Sequence, residues 1–170
     1  SGIVSGILSK LDSDVLLIQE LQDDQQEQDI MRMLDTALPG SNWTIAMSPK
    51  GTGLRSAVAT RLKATPATGF NSIRRVDDLD RIVKAAGLMI ITADNTRLLA
   101  VSLHLRCCGG LHGPEDMARI SETLAIREAI MQAVSDDGPD VLVIGGDMNL
   151  VASPVPLDIL RVNGQTMLGT

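Results

Sequence analysis

The spacing of apolar residues changes rhythm along the chain, and each change marks an element. Ile3, Val4, Ile7, Leu8 and Leu11 recur at helical spacing, Asp12-Ser13-Asp14 interrupts them, and Val15-Leu16-Leu17-Ile18 follows as an unbroken apolar run. The order predicts a helix, a turn and a buried strand that ends at Gln19-Glu20. Ile30, Met31, Met33, Leu34 and Leu38 place a second helix after a polar stretch, closed by Pro39-Gly40. The rhythm then shortens to period two, with Trp43, Ile45 and Met47 alternating with Thr44 and Ala46, and Ser56 to Thr60 forms a short strand of small residues. Lys63 to Val83 shows no period and is expected as loop and edge strand. Leu88 to Ala93 and Arg97 to Leu105 flank Asp94-Asn95-Thr96 and predict a hairpin.

After the flexible Gly109, Gly110 and Gly113, Pro114-Glu115 opens a helix whose apolar side is expected to be Met117, Ile120, Leu124, Met131 and Val134. Gly138-Pro139-Asp140 stops it. Val141-Leu142-Val143-Ile144 is a second apolar run, predicted as a fully buried strand, and leads into Gly145-Gly146-Asp147-Met148-Asn149. A last short helix is expected over Pro156 to Val162. Helix–strand alternation at both ends and antiparallel hairpins between them define an α+β chain.

Composition narrows the function classes. The 170 residues suit one domain with a sizeable core, and 44% apolar with 21% charged content is ordinary for a globular protein. One Trp, one Phe and no Tyr leave Leu, Ile, Val, Ala and eight Met to fill that core, and offer little surface for stacking bases. A net charge of −6 argues against a broad basic face for nucleic acid, though it is compatible with clustered carboxylates that hold a cation. No run approaches the length of a membrane span and no signal peptide is visible, so the expectation is a soluble chain, cytoplasmic or secreted after signal removal. Nothing in the sequence encodes the oligomeric state. Cys107 and Cys108 are adjacent, a spacing that fits neither a disulfide scaffold, a zinc site nor the two-residue spacer of redox pairs.

Two apolar runs each deliver a carboxylate at their C-terminal end, Glu20 and Asp147. A carboxylate there must be solvated, paired or bound to a cation, because a bare buried charge is costly. Oxygen donors suit a hard ion such as Mg²⁺, which takes one or two protein carboxylates and keeps water and substrate phosphate for the rest of its shell. Either acid alone is more often a turn former or a helix partner. Gly145-Gly146-Asp147-Met148-Asn149 is more specific: glycines that let backbone approach a ligand, with a carboxylate and an amide close together. His104 closes a strand on which Ser102, His104 and Arg106 share a face, so that His104 and Arg106 address one phosphate. His112, in the glycine-rich loop, is expected to be merely exposed. Arg55, Arg61, Arg74, Arg75 and Arg81 read either as a phosphate-facing rim or, preferably, as partners of Asp77, Asp78 and Asp80 on a solvated surface.

Leu17-Ile18-Gln19-Glu20, then Ser102-Leu103-His104-Leu105, then Gly146-Asp147-Met148-Asn149 is an order that resembles the endonuclease/exonuclease/phosphatase superfamily, over about Val15 to Leu160. The resemblance implies a two-layered β-sandwich flanked by helices and a metal-dependent phosphodiesterase or nuclease-like hydrolase. Glu20 would hold Mg²⁺, with Mn²⁺ as the alternative ion. Asp147 would orient or deprotonate the attacking water, Asn149 would donate to the phosphate, and His104 and Arg106 would contact phosphate. Substrates implied are nucleic acid, phospholipid head groups or inositol phosphates.

The superfamily also leads one to expect a first strand ending in Asn and a closing Ser-Asp-His-type motif. Neither is in this sequence, and no histidine follows Asn149. The expectation is therefore a single domain over 1–170, shortened at both ends, with weak activity on its own. The alternative is a catalytically inactive binding or scaffold domain of the same fold.

Overall fold

A computed structural model describes residues 2–51, 53–151 and 153–161, with side chains from residue 5 onward. The first helix, α1 (Gly2–Leu11), is followed by strand β1 (Val15–Gln22) and helix α2 (Glu27–Ala37). The α2 start is set by a capping box, in which the Asp29 carboxylate accepts the Gln26 backbone N–H at 2.8 Å. Strands β2 (Thr44–Met47), β3 (Leu54–Thr60), β4 (Lys63–Pro66), β5 (Ala85–Ile91) and β6 (Arg97–His104) come next, then helix α3 (Pro114–Asp137), strand β7 (Val141–Asp147) and helix α4 (Val155–Leu160). Val162, expected in the last helix, lies outside the described residues.

The strands form two sheets, ordered β1-β3-β2 and β4-β5-β6-β7. All neighbours are antiparallel except β6 and β7, and that parallel pair needs a long crossover, which α3 supplies. Strand alternation divides the apolar residues into layers. Val58, Leu88, Ile90 and Ala100 fill the space between the sheets. Leu21, Ile30, Leu34, Trp43 and Ile45 join the first sheet to its helices, and Leu99, Leu103, Ile126, Ile130 and Leu160 join the second sheet to α3 and α4. Each of these large buried side chains contributes about 1.5–3 kcal/mol of burial. The expected α+β sandwich flanked by helices is the observed architecture, and no described helix is long and apolar enough to cross a membrane.

Two features differ from the sequence reading. The apolar runs Val15–Ile18 and Val141–Ile144 are not fully buried. Both strands are sheet edges: Val15, Leu16, Leu17 and Ile18 are only partly buried, and Val141 and Val143 are 45% and 43% exposed. An apolar run reports what a strand prefers, whereas burial also needs neighbours, which lie far away in sequence. Helix α3 packs through Ala118, Ala125, Ile126, Ala129, Ile130 and Ala133, while Met117 and Met131, expected inside, are 54% and 44% exposed. A stripe of alanines brings the helix backbone close to the sheet, and the larger methionines are left at the sides.

Candidate functional site

Glu20 is placed by an irregularity. Ile18 pairs with Ala57 and Leu21 with Arg55, so Gln19 and Glu20 face Ser56 alone. That two-against-one count is a β-bulge, and it puts Glu20 in the left-handed region at φ +61°. The strand thus does not end at Glu20, as its polarity suggests, but runs on to Gln22. Gln19 turns toward the second sheet, where its amide donates to Ser102 Oγ at 2.8 Å and that hydroxyl donates to the Ile18 carbonyl at 3.1 Å. The bulge is therefore tied to β6. The Glu20 carboxylate is exposed and has no hydrogen bond or ion pair among the described residues.

The parallel register sets His104 beside Asp147, with His104 Nε2 3.9 Å from Asp147 Oδ2. The Leu105 N–H donates to the Asp147 carbonyl at 2.9 Å and holds the strand ends together. The Asn149 N–H donates to Asp147 Oδ1 at 2.9 Å, and its side-chain amide donates to the Leu105 carbonyl at the same distance. One amide hydrogen of Asn149 is thereby used for positioning, and the other has no partner among the described residues.

The two glycines before Asp147, expected to let backbone approach a ligand, also have a packing role. A Cβ on Gly146, at φ +137°, would lie 2.0 Å from the Leu103 carbonyl oxygen, and one on Gly145 would lie 2.6 Å from Leu17 Cδ1. Gly146 lets β7 seat against β6, and Gly145 lets β1 close over β7. Their absence of side chains is what brings the Glu20 strand and the Asp147 strand together.

His104 is almost fully buried, and its Nδ1 has no hydrogen-bond partner among the described residues. Burial holds its pKa below the ordinary histidine range and the nearby Lys84 charge adds to this, while Asp147 and Glu20 pull the other way. All three charges therefore sense the same ring. Lys84 was not singled out by the sequence. It sits at the mouth of β5, where its carbonyl accepts the His104 N–H at 2.9 Å, and the only signal for it is a cation placed directly before an apolar run.

Lys84 and Arg106 line a cavity of about 430 Å³ with Arg75, Arg81, Glu115 and Glu122. Arg106 lies past the end of β6, and it is Lys84, not Arg106, that stands next to His104 in the sheet. Neither Lys84 nor Arg106 has a carboxylate partner among the described ion pairs. Glu122 is 7% exposed and its carboxylate accepts the Arg106 N–H at 2.7 Å; burial raises its pKa. The other arginines are engaged: Arg75 with Asp77, Arg81 with Asp78, Arg61 with Asp12 and Asp14, and buried Arg55 with the carbonyls of Ser48 and Gln25. Arg74 donates to the Leu79 carbonyl. His112 is exposed, as expected.

No protein-family profile and no curated protein sequence matches the chain. Solved structures do. The chain superposes on ANGEL2, a 2′,3′-cyclic phosphatase, with a TM-score of 0.59 at 18% identity, covering 86% of this chain and 42% of that one. The human Nocturnin catalytic domain, solved with a bound sulfate anion, gives 0.57 at 14% identity, covering 90% and 57%, and SmcL gives 0.57 at 16%, covering 92% and 60%. The chain has the endonuclease/exonuclease/phosphatase fold. It spans 42% to 60% of the length of these endonuclease/exonuclease/phosphatase structures, which fits an incomplete version of the fold.

The resemblance carried by the sequence motifs implies a divalent cation. Among the described residues no group of three or more His, Cys, Asp or Glu side chains converges as a ready-made metal cage. A hard ion that keeps most of its water shell does not require one. Glu20 and Asp147 offer exposed carboxylate oxygens without a Lys or Arg partner, so the donor chemistry fits such an ion.

Proposed function

We propose that this chain carries the acid centre of a divalent-metal-assisted phosphoester hydrolase. The observation that supports this most is the meeting of Asp147, Asn149 and His104 at the joined ends of β6 and β7, with the Glu20 bulge tied to the same strand through Gln19 and Ser102. Glu20 would hold the cation. A bound Mg²⁺ or Mn²⁺ supplies polarisation of a phosphoryl oxygen and offsets charge on the leaving oxygen.

The protein groups divide the remaining work. Asp147 Oδ1 is fixed by the Asn149 N–H, which leaves Oδ2, on the His104 side, to orient or accept a proton from the attacking water. The free amide hydrogen of Asn149 donates to a phosphate oxygen as charge builds on it. His104, held neutral by burial and by Lys84, contacts the phosphate or supports Asp147. Arg106 and Lys84 attract the phosphate from the cavity side, since neither forms a salt bridge among the described residues, although both lie near the Glu122 carboxylate. Substrates to be tested first are a 2′,3′-cyclic nucleotide, because ANGEL2 is a 2′,3′-cyclic phosphatase, then nucleic acid and phosphorylated head groups.

The test is Mg²⁺-dependent hydrolysis of a 2′,3′-cyclic nucleotide, a generic phosphodiester and plasmid DNA, with Asp147→Ala in parallel. Asp147→Ala should lower the rate by about 10²–10⁴-fold, the usual contribution of a positioned acid or base. Mg²⁺ should raise the melting temperature of the wild type and leave that of Glu20→Ala unchanged. Hydrolysis that survives both chelator and Asp147→Ala would overturn the reading.

A further inference from the structure

The proposed chemistry leaves unused the two thiols in the loop after β6. In extended backbone, neighbouring side chains point to opposite faces. Cys108 breaks that alternation at φ +71°, and Gly109 follows at φ +73°. As a result the two sulfurs face each other, with Cys108 Sγ donating to Cys107 Sγ at 2.8 Å, and both residues are exposed.

The pairing is imposed from beneath. Arg119 is fully buried, and a single guanidinium nitrogen donates to the carbonyl of Arg106 at 3.1 Å and to that of Cys108 at 2.8 Å. These carbonyls bracket the cysteine pair. Arg119 is fixed in turn by Asp116, 3.2 Å away, whose other carboxylate oxygen accepts the His112 N–H at 2.9 Å. Helix α3 thus holds both ends of the loop, so the thiols meet because the backbone brings them together.

We propose that Cys107 and Cys108 are a thiol-modification site, a vicinal dithiol that a hydroperoxide oxidises reversibly to a disulfide within the loop. The proton of Cys108 is retained above the ordinary thiol range, first through its hydrogen bond to Cys107 and then through the charge on that sulfur. Because Cys108 is the donor and Cys107 the acceptor of this contact, the proposed step takes Cys107 as the attacking sulfur and Cys108 as the resolving one. The Cys107 thiolate attacks a peroxide oxygen, the O–O bond breaks, and a sulfenic acid forms as water or alcohol leaves. The Cys108 sulfur then attacks the sulfenic sulfur; the S–S bond forms, the S–O bond breaks, and water departs with the Cys108 proton. Two thiols and one hydroperoxide give one disulfide, one water and one alcohol, or two waters from hydrogen peroxide. Ring closure between neighbours is strained, which makes the product easily reduced and the modification reversible.

The whole chain treated with one equivalent of hydrogen peroxide and then analysed by non-reducing intact mass tests this. The monomer should lose the mass of two hydrogen atoms, both thiols should become inert to iodoacetamide, and a phosphine should restore both. Cys107→Ser and Cys108→Ser should instead gain oxygen or cross-link into dimers. Stepwise gain of oxygen by the wild-type monomer, or wild-type dimers formed while monomers keep two alkylatable thiols, would overturn the proposal.

Discussion

Gly145 and Gly146 are adjacent, yet adding one methyl group to each should have very different consequences. At Gly146 the new Cβ meets a backbone oxygen at 2.0 Å, and the backbone sits at φ +137°, where a side chain is itself strained. Backbone strain of about 1–3 kcal/mol and an overpacking cost of about 1–3 kcal/mol together give a loss of about 2–6 kcal/mol for Gly146→Ala. At Gly145 the new Cβ meets only the flexible end of the partly buried Leu17 side chain at 2.6 Å, and a shift of that rotamer costs about 0.5–1.5 kcal/mol. Urea unfolding measures both, followed by far-UV circular dichroism and by the fluorescence of Trp43, the sole tryptophan and a core residue of the first sheet. Gly146→Ala within about 1 kcal/mol of the wild type, or less destabilised than Gly145→Ala, would refute the packing argument.

The remaining predictions concern buried charge. His104 binds a proton less readily in the folded chain than in the unfolded one, so the unfolded state takes up more protons on acidification and stability falls as pH drops through and below 6.5. His104→Gln should flatten that part of a melting-temperature profile. Glu122 has the opposite sign: its pKa is raised, so its contribution is complete below 4.5 and is lost as pH rises above that value. Glu122→Gln, which still offers an oxygen to the Arg106 N–H, should match the wild type in acid and exceed its melting temperature at neutral pH. Arg119→Met strands the buried Asp116 and should cost about 3–5 kcal/mol in chemical denaturation, with much of the loss recovered when Asp116→Leu is added.

The sequence showed most where the determinant is local. The β5–β6 hairpin follows from two apolar segments flanking the turn residues Asp94-Asn95-Thr96, and α3 starts at Pro114 and stops at Gly138 because those residues bias the backbone by themselves. His104 and Asp147 could be connected only through short motifs, and the parallel register that sets them 3.9 Å apart depends on a crossover of more than thirty residues. The incomplete burial of β1 and β7, the alanine face of α3, and Lys84 beside His104 were not legible, because each depends on which distant segment lies alongside. Adjacent cysteines are ordinarily a poor dithiol; the left-handed turn at Cys108 and the buried Arg119 beneath it reverse that.

The bulge at Gln19-Glu20 also separates two properties that usually change together. Because two residues there oppose one, removing a single residue would let β1 pair regularly with β3 from Val15 to Gln22. The ladder and the apolar faces on either side would be kept, while the carboxylate would be lost from its present position or turned to the other face. A single deletion within β1 would thus separate the position of the Glu20 carboxylate from the integrity of the sandwich, moving the first in one step while leaving the second intact.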